Sequence, residues 1–213
     1  MAASSVRPGY GAVLGRQDSN LTTIAASTTG SSTPQSRTPA LMTSITQGTV
    51  LCIDTASTTV KEVTKVNSVT GSTFTSIIEN NHSGGISVAL QVSVAELVAI
   101  NGFRLRADLA DATHLNSDDQ YRQFIQTMLW AEVDVEGNYT DDASQVQIVT
   151  DAQAGTLRTW SIALGGTPGA ASGNQCVWWA NAYVEDLVTV ASVADIIRFT
   201  AKLKISGKAY LHY

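Results

Sequence analysis

The chain has 213 residues and a mass of 22.5 kDa, enough to bury one core, or one core with a small module beside it. Only 15% of the residues are charged, the net charge is −5 and the pI is about 5.0, which excludes the basic footprint of a nucleic-acid-binding surface. Ser, Thr, Ala, Gly, Val and Ile take the place of the missing charges, a composition suited to β-structure with frequent turns.

In chain order, residues 1–43 read as an N-terminal strand followed by an arm. Met1 to Tyr10 lacks the apolar centre of a secretory signal, and no run approaches the roughly 18 apolar residues that span a bilayer. The expectation is a protein made in a cytoplasm, without membrane contact, with Cys52 and Cys176 as buried free thiols. Gly9 to Gly15 is a short candidate strand. Asp18 to Thr43 is rich in Ser and Thr and poor in large apolar residues. Two readings stand for it: a linker, or an arm that orders on a neighbouring subunit.

Residues 44–94 carry four short β-type runs separated by turn signals, the last of them alternating cleanly at Ile86, Val88, Leu90, Val92 and Val94. They predict a small, barrel-like β module. From residue 95 to 213 the strands lengthen. Phe103, Leu105, Ala107 and Leu109 alternate with Arg104, Arg106 and Asp108, and Phe199, Ala201, Leu203 and Ile205 alternate with Thr200, Lys202 and Lys204. A looser strand is expected over Val146 to Val149. In the strand from Cys176 to Val184, the rings of Trp178 and Trp179 must point to opposite faces. The fold class is mainly β: an antiparallel β-sandwich or barrel with one packed α-helix and a small inserted module.

The stretch Asp111 to Thr140 holds that helix. Ser117 and Gln120 match a capping box, and Tyr121, Phe124, Ile125, Met128 and Leu129 recur at helical spacing, predicting a helix over about 117–129. Ser117, Gln120, Tyr121, Phe124 and Met128 are the residues expected to brace it. The period then switches to two: Ala131, Val133, Val135, Gly137 and Tyr139 face inward, while Glu132, Asp134 and Glu136 form an acidic outer face.

Catalytic and metal chemistry find little purchase. His82, His114 and His212 form no zinc-binding spacing, and Asp108, Asp111 and His114 at a strand end would not converge. Asp134, Glu136, Asn138, Thr140 and Asp142 echo a calcium loop, but the glycine falls at the fourth place and Gln145 stands where a bidentate Glu belongs. The loop Gly165 to Gln175 lacks the Lys-Ser/Thr of a phosphate-binding loop. The expectation is no catalytic residue, no metal and no cofactor, hence no enzyme.

Three segments in order resemble the major tail tube proteins of long-tailed (siphovirus-like) bacteriophages. They are Val94 to Leu115, ending in Asp111-Ala112-Thr113-His114; Asp118 to Tyr139, with Arg122, Phe124, Ile125 and Glu136-Gly137-Asn138-Tyr139; and Ala182 to Leu211, with Val193-Ala194-Asp195 and the run Phe199 to Lys208. The resemblance implies two packed sheets and a helix, with copies forming hexameric rings whose inner sheets join into one barrel and stack into a tail tube. The tube would conduct genomic DNA at ejection without binding it specifically. Implied partners are further copies of the chain and the tape measure, tail terminator and distal tail proteins; the implied place is the virion tail. Glu132, Asp134 and Glu136 become candidates for lining the lumen, where acids would repel phosphates. The module at 44–94 is expected on the outer surface. Two other classes stay open: another virion component (tail completion, neck or head decoration), or a carbohydrate-binding adhesin module using Trp178 or Trp179.

Overall fold

A computed structural model describes residues 12–111, 124–140, 142–164, 176–190 and 197–212. It contains twelve strands and one helix: β1 (Val13–Ile24), β2 (Gln35–Arg37), β3 (Val50–Ile53), β4 (Glu62–Thr70), β5 (Thr73–Ser76), β6 (Ile86–Ser93), β7 (Leu97–Asp111), β8 (Phe124–Asn138), α1 (Ala143–Ala154), β9 (Arg158–Leu164), β10 (Cys176–Val190), β11 (Arg198–Ile205) and β12 (Tyr210–His212). The expected mainly β, antiparallel class with one helix holds. The strands form one open sheet in the order β2-β5-β4-β3-β6-β1-β9-β10-β11-β8-β7, with β12 beside β10.

The strand β1 is the spine. Val13–Arg16 pair with β9, and Gly15–Ile24 follow β6, with register shifts between Gln17 and Thr22. Leu14 at one end enters a core with Val133, Val135, Ile148, Trp160, Val184, Phe199 and Leu203. Ile24 at the other end enters a second core with Leu51, Ile53, Val66, Phe74, Ile78, Ile86 and Val88. The expected linker or arm therefore does not begin at Asp18. Residues up to Ile24 are strand, because backbone pairing to β6 and burial of Thr22 and Ile24 supply what the Ser/Thr-rich composition concealed.

The helix also lies elsewhere than expected. Ser117, Gln120 and Tyr121 fall outside the described residues. Phe124 and Met128 belong to β8, paired with Asp111 and Asp108 of β7. A short apolar run fits either period, and pairing along the whole of β7 decides for strand. The region Val146 to Val149, expected as a strand, is helix α1. Asp142 caps it, its carboxylate accepting from the Ser144 amide at 2.8 Å, and Gly155 closes it in the left-handed conformation at φ 58°. These two caps override the β preference of Val146, Ile148, Val149 and Thr150.

Polar side chains anchor α1. Gln145, 2% exposed, donates from its amide to the Ala95 and Asn138 carbonyls, both at 2.9 Å, and accepts from the Thr140 amide at 2.7 Å. Asp151 pairs with Arg16 of β1 in a buried contact and with Arg158 of β9 at 3.3 Å. Removing one member of such a buried pair leaves an uncompensated charge, at a cost of about 3–5 kcal/mol. The helix is thus bolted across the start of β7, the end of β8, β1 and β9.

Candidate functional site

Strand β8 runs between β7 and β11 with its inner side chains in the core: Ala131, Val133 and Val135 are all buried. Gly137 sits where a Cβ would lie 2.6 Å from Phe199 Cε1 and 2.9 Å from the Glu96 carbonyl oxygen. The absence of a side chain there lets β7, β8 and β11 close up, and the Asn138 amide then reaches Glu96 O at 2.9 Å.

The opposite face carries the acids. Cross-strand rows can be followed directly: Tyr183 of β10, Lys204 of β11, Glu132 of β8 and Arg104 of β7 form one, and Val188, Thr200, Glu136 and Ala99 another. Asp134 lies between them, opposite Lys202. The expected acidic face is therefore not bare. Glu132 has Arg104 at 3.8 Å and Arg106 at 3.7 Å; Asp134 has Arg104 at 3.8 Å; Glu136 has Arg198 at 3.5 Å. The carboxylates also lie beneath the cations: side-chain exposure is 7% for Glu132, against 51% and 53% for Arg104 and Arg106. Strand pairing puts β8 between two rows of bases, which a reading of β8 alone does not reveal. Trp130 extends this layer, with the Arg106 guanidinium and the Lys204 ammonium each 5.1 Å from its ring centroid.

Two edges border the face. Among the described residues no strand pairs with the outer side of β7, fifteen residues long. Its far half projects: β11 pairs with β8 only over Glu132–Asn138, so among the described residues Phe124–Ala131 has strand pairing to β7 alone, and Arg106 to Asp111 are exposed throughout. The second edge is on β10. Strand β9 pairs with it over Cys176–Ala182, after which Tyr183–Val190 has only β11 beside it among the described strands. Glu185 and Asp186 stand on this stretch, at a register shift, and Val188 and Val190 are exposed. Neither edge was legible in the sequence, which suggested shorter strands over Phe103–Leu109 and Cys176–Val184 than the fifteen residues of β7 and β10.

The rest of the described molecule offers structural rather than catalytic centres. His82 is buried with Nδ1 3.2 Å from Asp54 Oδ2 and Nε2 2.7 Å from Glu62 Oε1, and Glu62 also accepts from the Glu79 and Asn80 amides at 2.9 and 3.2 Å. This cluster ties three chain crossings together. Cys52 is a buried free thiol whose pKa burial pushes up to about 12, so it is no nucleophile at neutral pH. The Asp142 carboxyl is held below its ordinary range by the hydrogen bonds from Ser144. Among the described residues no group of three or more His, Cys, Asp and Glu is arranged to hold a metal ion, and no helix is long and apolar enough to cross a membrane. Trp179 is 6% exposed and stacked on Tyr210 at 4.3 Å, so its ring offers no open face to a sugar; Trp178 packs half-buried against the other core.

No protein-family model matches this sequence, and no curated protein sequence matches it. Among solved structures, the chain is similar to one from the virion of a native gene transfer agent particle, at 12% identity and a TM-score of 0.48, covering 58% of this chain and 89% of that one. It is also similar to a chain from the tail of an empty gene transfer agent particle with C6 symmetry, at 13% identity and a TM-score of 0.47, covering 58% and 87%.

Proposed function

We propose that this chain is a structural virion protein whose copies join edge to edge into rings, stacked as a phage-type tail tube. The observation that carries the reading is the four-stranded unit β10-β11-β8-β7, antiparallel throughout and, among the described residues, unpaired along the outer side of β7 and along Tyr183–Val190 of β10. An even number of strands lets one copy's β7 lie antiparallel to the next copy's β10, so the alternation continues around a ring. Such a contact is heterologous, and it closes when the rotation divides the circle. It also removes the liability of a long open edge. The sequence segments that resemble tail tube proteins fall on this same unit, Glu136 to Tyr139 ending β8 and Phe199 to Ile205 forming β11.

In this assembly the charged face of the unit lines the lumen, with Glu132, Asp134 and Glu136 beneath their arginines. A row compensated in this way attracts DNA phosphates weakly and only over short range in salt, which suits passage without binding. The projecting β7–β8 ribbon supplies contacts along the axis, since a two-stranded ribbon is marginal alone. The further partners are the tape measure, terminator and distal tail proteins that such a tube meets at its bore and ends. Residues 44–94 lie on the outside.

Negative-stain microscopy of the purified chain tests this. Stacked rings or open-ended tubes are expected. Isolated rings or capped particles would move it to another virion part, and monomers that retain a glycan would make it an adhesin.

A further inference from the structure

Over the stretches that would meet, the two edges of the four-stranded unit carry opposite charge. Strand β7 presents Arg104 and Arg106, with side chains 51% and 53% exposed, while its acids Asp108 and Asp111 lie further along the projecting half. The open stretch of β10 presents Glu185 and Asp186, both exposed, with Glu185 held by Lys204 of its own chain at 3.0 Å. Asp186 has no ion-pair partner among the described residues, although Lys202 sits opposite it. Arg104 reaches its own acids only at 3.8 Å, longer than a hydrogen bond, so its guanidinium retains donors for another carboxylate.

Arg104, Arg106 and Asp186 lie on one face of the sheet by register, and Glu185, at the register shift, reaches that face to meet Lys204. Tyr183, Lys204, Glu132 and Arg104 share a row, and Asp186 is opposite Lys202, two residues from Lys204. Carried straight across a seam, that row sets Arg104 of one copy beside Tyr183 of the next. A closed sheet requires a stagger, and a stagger of two residues keeps every side chain on its face. One such step sets Arg104 against the Glu185–Asp186 pair. Neighbours across antiparallel strands lie about 5 Å apart at Cβ, well inside the reach of an arginine.

We propose that the occupant of each open edge is a second copy of this chain, and that charge selects it: Glu185 and Asp186 on β10 of one copy pair with Arg104, and at the rim Arg106, on β7 of the next. The inference rests on the ring reading above and adds what sets its seam. Association then runs head to tail in one direction.

The test uses the full-length chain and the concentration at which rings form, read by light scattering and microscopy. Asp186→Lys touches no ion pair within the chain and should raise that concentration about ten-fold, with circular dichroism and melting unchanged. Arg104→Glu should raise it likewise, with some loss of thermal stability because it also uncovers Glu132 and Asp134. The combined variant, Arg104→Glu with Asp186→Lys, should recover assembly to within about three-fold of the parent, because the seam charges are exchanged rather than lost. Raising salt should weaken the parent's assembly. Single reversals that assemble like the parent, or a combined variant no better than the singles, overturn the charge-set seam while rings still form. A parent that never forms rings overturns the assembly reading itself.

Discussion

The sheet has two ends built on opposite rules. At one end the outermost strand is β2, three residues of Gln-Ser-Arg, over a core in which Phe74, Leu51, Ile53, Val66 and Val88 are wholly buried. Two of its polar side chains, Glu62 and His82, also point inward, each 3% exposed. At the other end the outermost strand is β7, fifteen residues long, with Val98 and Leu109 60% and 61% exposed. A short polar edge resists pairing with other chains, and a long one with exposed apolar residues invites it. Under the assembly proposed above, the contrast makes β7 the edge that associates and β2 the edge that does not.

The largest expected effect separates those roles. Phe74→Ala empties a fully buried site and should cost about 3–5 kcal/mol in chemical unfolding. The folded fraction should still assemble at the parent's concentration, since Phe74 is remote in strand order from both open edges. If assembly falls further than the folded fraction does, the two ends are coupled and the contrast fails. A smaller effect belongs to the join between the ribbon and the sheet. Gly137→Ala pushes a methyl against Phe199 and the Glu96 carbonyl, and overpacking of this kind costs about 1–3 kcal/mol. Thermal unfolding reads it. A loss under about 0.5 kcal/mol would mean that the aromatic ring and the β7 backbone yield, and that the close approach at Gly137 is not what fixes β7 on β8.

Strands with clean alternation were legible because one face is core. Ile86 and Val88 on β6, Val133 and Val135 on β8, and Phe199, Ala201 and Leu203 on β11 all point inward as expected. The helix was not, for a physical reason. The buried stripe of α1 is Ser144, Gln145, Ile148 and Asp151, only one of them apolar, so hydrophobic periodicity could not reveal it. Its signature was polar: Asp142 three places before Gln145, and Gly155 after the last turn. Gln145 was noticed only as the wrong ligand for a calcium loop, whereas its amide joins Ala95, Asn138 and Thr140. Of the candidate site, the acids on β8 were readable from one strand. Their cover of arginines was not, because it depends on which strands lie alongside.

The smallest expected effect on stability should accompany a large one on association. Val98 lies on the outer strand with most of its side chain in solvent, so Val98→Lys removes little packing and should shift unfolding by no more than about 0.5 kcal/mol. A lysine on an edge strand nonetheless opposes another strand's approach, since its ammonium must be desolvated or displaced before the backbones can pair. Ring formation should therefore be lost or pushed to much higher concentration while melting stays at the parent's value. Ser36→Lys makes the matched change on β2, where Ser36 is exposed on the three-residue edge, and should alter neither measurement. Loss of rings in both variants would mean that added charge acts through the whole molecule rather than at a seam. Loss in the first alone ties association to β7, because the two substitutions add the same group to opposite ends of one sheet.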